Sequence, residues 1–209
     1  GPGGKEIADA LLAIAGIKLN ETNPVVLAFT EAYSRLVIYP SRSLEIIKNN
    51  LKDPKELVAE VMRSSTVNRA AMKSLAELKT AGNLVLVFPS GTRYRPWDPS
   101  SKRGVREIDS YLKSFSKMCL IAINGTILRI NTEGSMEDDL VCEDRLVYTS
   151  SPVIDCAAFR EEVKGNYRLR DEIKNGHPFR DDKKQAIVDE VMTQLERIHE
   201  ATEKDRLAK

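Results

Sequence analysis

Apolar residues along this chain recur at two spacings, and proline, glycine and short polar residues mark the boundaries between the segments. Lys5 to Ala15 carries Ile7, Leu11, Leu12 and Ile14 at helical spacing and then meets Gly16, so the pattern predicts a helix over 5–15. Residues 16–29 mix Asn, Thr and Pro and are expected to be irregular, after which Leu36 to Tyr39 reads as a short strand closed by Pro40. Asp53-Pro54-Lys55-Glu56 places a cap, a proline at the first helical position and a glutamate three after the cap, predicting a helix over 54–63. A second helix, capped by Thr66, is expected to reach Leu78, with Val67, Ala71, Leu75 and Leu78 inward and Gly82 just past its end.

Leu84 to Phe88 is a continuous apolar run of strand length, the pattern of a strand covered on both faces, and Pro89 and Gly91 end it. Helical spacing returns over 105–115, and 118–123 reads as another buried strand. Residues 145–154 predict a further strand, Asp155 caps a helix over 156–163, and a long last helix over 183–203 aligns Ile187, Val191, Leu195 and Ile198. The order helix, strand, loop, helix, strand is that of an α/β crossover. The predicted fold class is therefore α/β: a single domain with a central, mostly parallel or mixed sheet flanked by helices, and a long C-terminal helix. Gly1-Pro2-Gly3-Gly4 resembles a cleavage-and-linker remnant, which leaves 5–209 as the domain.

Composition narrows the function classes. A chain of 209 residues with 42% hydrophobic content can bury one good core. Lys and Arg number 32 against 31 Asp and Glu, which argues against a nucleic-acid binder that works through a strong global field. Any anion site must then be local. Cys119, Cys142 and Cys156 are odd in number and widely spaced, as expected of reduced thiols in an intracellular protein, and no metal-ligand spacing occurs. The apolar stretch from Ala8 to Ile17 includes Asp9 and is far shorter than the roughly 20 residues a membrane span needs.

Candidate chemistry sits after the Leu84 run. Ser90-Gly91-Thr92-Arg93-Tyr94-Arg95-Pro96 is a turn at a strand end with two arginines spaced two apart. Ligands of open α/β sheets gather where strands stop. In a locally extended segment the two side chains would point the same way and could close two guanidinium forks on one dianion. Pairing of these arginines with Asp98 or other surface carboxylates is the competing reading of the same residues.

Val87-Phe-Pro-Ser-Gly-Thr-Arg93 resembles the F-P-E-G-T-R block of the glycerolipid acyltransferases, with Ser90 in place of the usual Glu. Ser there, followed by Arg-x-Arg-Pro, is closer to the soluble plastid-type glycerol-3-phosphate acyltransferases and their bacterial relatives. The resemblance runs loosely from Ala15 to the last helix. Ala15-Gly16-Ile17-Lys18 resembles the segment entering the family's substrate cleft. Val37 to Ser43 lies where the family has a strand followed by a basic cluster, so Arg42 would supply phosphate-binding charge, while Ser43 stands where the family can carry histidine. Asn68 to Leu75 resembles the helix before the arginine block, and Met118 to Gly125 the last block, a strand leading to the acyl-chain side.

The resemblance implies that Arg42, Arg93 and Arg95 bind a substrate phosphate, with Ser90, Gly91 and Thr92 shaping the turn and its N–H groups as further donors. It implies transfer of a fatty acyl group from acyl carrier protein or coenzyme A to glycerol-3-phosphate, with no metal or organic cofactor. The location expected is cytoplasmic, or the plastid stroma, with peripheral membrane contact. Lysophosphatidate is the alternative acceptor. An acidic carrier protein would favour a basic face, for which Lys102, Arg103 and Arg106 are candidates by charge only, and solvated surface is the simpler reading of them.

Acyl transfer needs a general base, and the family uses H-x-x-x-x-D upstream of the blocks matched here. The only histidines in this chain are His177 and His199. His177 with Asp182 fits the string, but it follows the last block and precedes Pro178; His199 is expected on the polar side of the last helix. The expectation is of an N-terminally truncated acyltransferase whose catalytic pair is encoded upstream, or else of a non-catalytic phosphate-ligand module that has lost the base.

Overall fold

The computed structural model describes residues 4–17, 34–50, 53–133, 138–173 and 183–208, without the side chains of 42, 45, 46, 50 and 167–173. It is mixed α/β with a small parallel sheet, short antiparallel pairs and a long C-terminal helix. The chain divides into two compact units, Gly1–Tyr94 and Arg95–Lys209.

In the first unit, α1 (Gly4–Ala10) gives way directly to strand β1 (Leu11–Gly16), which corrects the helix expected over 5–15. Alternating small and large apolar residues fit either period. The ladders decide it, because β1 is hydrogen-bonded on both sides, to β2 (Arg35–Ile38) and to β3 (Leu84–Leu86), and this outweighs local preference. Both pairings are parallel, with Gly16 opposite Ile38 and Ala13 opposite Leu86. Leu12 and Ala15 are buried along β1. Beyond Ile17, most of the stretch expected to be irregular, 18–29, lies outside the described residues.

Helix α2 (Ser41–Asn50) follows β2, so Arg42 stands in the first turn of a helix rather than in a strand-end loop. Helix α3 (Pro54–Thr80) is continuous where two helices were expected. Asp53 caps it as the sequence indicates, accepting from the Lys55 N–H. Thr66 does not cap a second helix: its hydroxyl donates back to the Met62 carbonyl one turn earlier, and the Ser64 hydroxyl donates to Val61. Such back-bonding satisfies these hydroxyls inside a helix without breaking it. At the other end Asn83 N–H donates to Leu78 O and Gly82 N–H to Lys79 O, a Schellman closure. It requires the left-handed conformation that Gly82 adopts at φ +82°.

The strand expected over Leu84–Phe88 is shorter and less covered. Among the described strands β3 has a partner on one side only, and Leu84 and Phe88 are about half exposed.

In the second unit, β4 (Lys117–Met118) pairs with β9 (Ile154–Asp155), β5 (Ile121–Asn124) with β8 (Val147–Ser150), and β6 (Leu128–Arg129) with β7 (Leu140–Val141), all antiparallel. The single buried strand expected over 118–123 is thus two short strands. Leu120 breaks the run by exchanging bonds with Ser151, and Ile121 and Ile123 face outward while Ala122 and Asn124 face in. The strand expected over 145–154 is likewise split, around Pro152, which has no N–H to give a ladder. The crossover expected to place 118–123 beside the Leu84 strand is absent among the described pairings.

Helix α4 (Ile108–Ser114) starts three residues later than expected, and α5 (Cys156–Ile173) runs beyond Val163. Asp155 caps α5 as expected, accepting from Ala158 N–H. Helix α6 (Lys183–Leu207) buries Ile187, Val188 and Val191 against the rest of the unit, with Leu195 and Ile198 half-buried.

Candidate functional site

The sequence points to the loops that leave the first unit's parallel sheet. Parallel pairing sends the carboxyl ends of all three strands to one edge, and the order β2-β1-β3 puts β2 and β3 on either side of β1. Two inter-strand steps separate them, on the order of 10 Å. Pro40-Ser41-Arg42 leaves β2 at this edge and opens α2, with Ser43 and Leu44 N–H groups both donating to the Pro40 carbonyl. The Arg42 side chain itself lies outside the described atoms.

On the other flank, Val87 to Pro89 carry the chain from β3 into the Ser90-Gly91-Thr92 turn. Gly91 has φ +63° and donates its N–H to Phe88 O at 3.0 Å; the Ser90 hydroxyl donates to Thr92 O at 2.7 Å. The turn is therefore self-braced. One expectation changes: the Gly91 N–H is committed inside the turn and does not serve a ligand. Ser90 and Thr92 are half-buried, and Arg93 is exposed just beyond them.

Arg95 begins the second unit. Its N–H donates to the Ser101 hydroxyl at 2.8 Å, and its carbonyl accepts from Asp98 N–H at 2.9 Å, closing a tight turn from Arg95 to Asp98. Ser101 is fully buried and its hydroxyl donates to Asp98 O at 2.6 Å. The Asp98 carboxylate caps the 3-10 turn Pro99–Lys102, accepting from Ser100 N–H at 3.1 Å and from the Ser100 hydroxyl.

Two further residues brace these loops and were not assigned roles from sequence. One is Ser101, whose signal is the Asp-Pro-Ser-Ser run directly after the arginines. The other is Asn68 on α3, whose carboxamide accepts from Tyr39 N–H at 2.8 Å and donates to Tyr39 O at 3.0 Å. Its available signal was an asparagine at helical spacing from the apolar Ala71 and Leu75.

The remaining candidates are dispersed. His177 and Asp182 lie outside the described residues. His199 is half-buried rather than on the open surface, and its carbonyl accepts from the buried Asn124 amide at 2.9 Å. That amide also donates to Glu203, whose carboxyl is pulled down to about 2, first by Arg206 and then by Asn124. Lys102 pairs with Glu196 of α6 at 2.6 Å, which neutralises part of the suggested basic face; Arg103 and Arg106 are exposed. Among the described residues no cluster of three or more His, Cys, Asp or Glu could hold a metal ion, and no helix is long and apolar enough to cross a membrane.

Neither family models, nor curated proteins, nor solved structures gave a match to this chain.

Proposed function

We propose that this chain recognises the phosphate of glycerol-3-phosphate as part of an O-acyltransferase of glycerophospholipid synthesis. The observation that carries this reading is the shared edge of the parallel sheet. Arg42 and the Pro89–Arg93 loop follow strands that flank β1 and end on the same side, where α/β sheets gather their ligands. The Val87–Arg93 block and its likeness to the acyltransferase pattern supply the substrate class. Arg93 would offer bidentate charge-assisted bonds to a dianion and Arg42 a second charge, with Arg95 a candidate by sequence spacing alone.

In the reaction, a base takes the proton of the acceptor hydroxyl as its oxygen attacks the thioester carbonyl of acyl carrier protein or coenzyme A. The carbon–sulfur bond breaks, and the thiol leaves with a proton as the ester forms. A histidine is the usual base, and none precedes His177 in this sequence. A second reading is a ligand-binding module that holds the phosphate without transferring the acyl group.

An acyl-transfer assay separates the two. The chain is supplied with an acyl thioester and either glycerol-3-phosphate or lysophosphatidate, and ester formation is followed beside direct binding of each acceptor. Transfer favouring glycerol-3-phosphate supports the enzyme, and transfer favouring lysophosphatidate reassigns the acceptor. Phosphate-dependent binding that stays without transfer when the same assay is run on the full native reading frame supports the module. Neither binding nor transfer by folded protein removes both.

A further inference from the structure

We propose that Asn68 is a positioning residue for the phosphate site, acting through the backbone of the β2–α2 turn; this rests on the function proposed above. The ladder between β1 and β2 ends at Gly16 opposite Ile38, where Ile38 O accepts from Ile17 N–H. Successive residues of a strand direct their polar groups to opposite sides, so those of Tyr39 face away from β1, where none of the described strands pairs with β2. Buried backbone groups left in that state are costly. Asn68 meets them there as a strand would, its single carboxamide hydrogen-bonding both groups of Tyr39.

The placement is reinforced from two other directions. The Tyr39 side chain is 4% exposed and its hydroxyl donates to Glu60, also on α3. Pro40, the next residue, is the acceptor for both Ser43 and Leu44 N–H groups at the start of α2. Asn68 thus fixes, through Tyr39 and Pro40, the point from which the Arg42 backbone departs. It does so from a helix whose C-terminal closure leads straight into β3, the strand that feeds the Arg93 loop. One helix therefore sets the starting points of both flanks of the candidate site.

The test compares Asn68→Ala and Asn68→Asp with the unsubstituted chain and an exposed control on the same helix, Lys73→Ala. Calorimetric titration with glycerol-3-phosphate is run well below each variant's melting temperature, beside hydrogen exchange of the Tyr39 amide. Asn68→Ala is expected to speed Tyr39 exchange and to weaken binding roughly tenfold, the equivalent of about 1.4 kcal/mol. Asn68→Asp keeps the acceptor for Tyr39 N–H and is expected to fall between, with Lys73→Ala unchanged. A lower melting temperature with unaltered affinity in Asn68→Ala would make Asn68 a structural staple only and overturn the proposal. Absence of binding by the unsubstituted chain would remove the functional reading and this inference together.

Discussion

Gly16, the last residue of the central strand, lies so close to Pro40 that a Cβ on it would stand 3.1 Å from the proline Cγ. The end of β1 is therefore packed against the turn that starts α2. Gly16→Ala is expected to push that turn by a few tenths of an ångström and to lower stability by about 1 kcal/mol, the low end for overpacking. Thermal melting measures the loss. On the proposed function, the same variant weakens glycerol-3-phosphate binding more than its melting temperature alone explains.

Gly104 makes a closer approach in the second unit. A Cβ there would meet Val188 Cγ1 at 2.4 Å and Met192 Cγ at 2.9 Å on α6, while Gln185 donates to the Gly104 carbonyl at 3.2 Å. Gly104→Ala should cost about 3 kcal/mol, toward the upper end of overpacking penalties. Val188→Ala removes the nearest atoms, so the double variant should lose clearly less than the sum of the two single changes. Strict additivity in denaturant unfolding would contradict this packing.

Asp109 is fully buried and held by Arg160 Nε and Lys113 Nζ, both at 2.9 Å. Burial alone would raise its carboxyl, but the Lys113 and Arg160 contacts outweigh it and hold the group below the usual carboxylate range. A depressed folded-state value means stability present above the unfolded carboxylate pKa of about 3.9 and lost as pH falls through the lower folded value. Asp109→Asn should flatten the acid limb of the stability curve and lower stability at neutral pH. Arg160→Ala should destabilise by about 3 kcal/mol, since it leaves a buried carboxylate with one exposed partner. Urea unfolding as a function of pH reads both.

Ser101 offers a test of the Arg95 bridge. Its buried hydroxyl accepts from Arg95 N–H and donates to Asp98 O, so Ser101→Ala takes the acceptor from Arg95 N–H, while Asp98 O keeps the residue 101 N–H, at a cost of about 1 kcal/mol. Faster hydrogen exchange at the Arg95 amide should accompany the loss. An unchanged amide would show that another group holds the loop.

Local signals carried well where one residue decides the outcome. Asp53 and Asp155 cap the helices expected of them, and Gly82 closes α3 in the left-handed conformation its position called for. Sequence reading failed where distant partners decide. Leu11 to Ala15 suits a helix in isolation, and only β2 and β3 on either side make it a strand. Ser64 and Thr66 looked like a break, yet one-turn hydroxyl bonds absorb them into a single helix. The Gly91 turn was visible in the Pro-Ser-Gly-Thr run. Its supports were not, because Asn68 reaches Tyr39 across 29 positions of sequence and Ser101 reaches back to Arg95 through a turn.

The central claim is that the arginines beyond β3 bind a phosphate. Calorimetric titration of the chain with glycerol-3-phosphate tests it most directly, with glycerol and inorganic phosphate as controls and the Arg93→Ala, Arg95→Ala double variant alongside. Glycerol-3-phosphate should bind and glycerol should not, and the double variant should lose about a hundredfold or more in affinity, as expected for removing charge-assisted bonds of about 1.5–3 kcal/mol each. Equal affinity for glycerol, or undiminished binding in a folded double variant, would contradict the phosphate assignment.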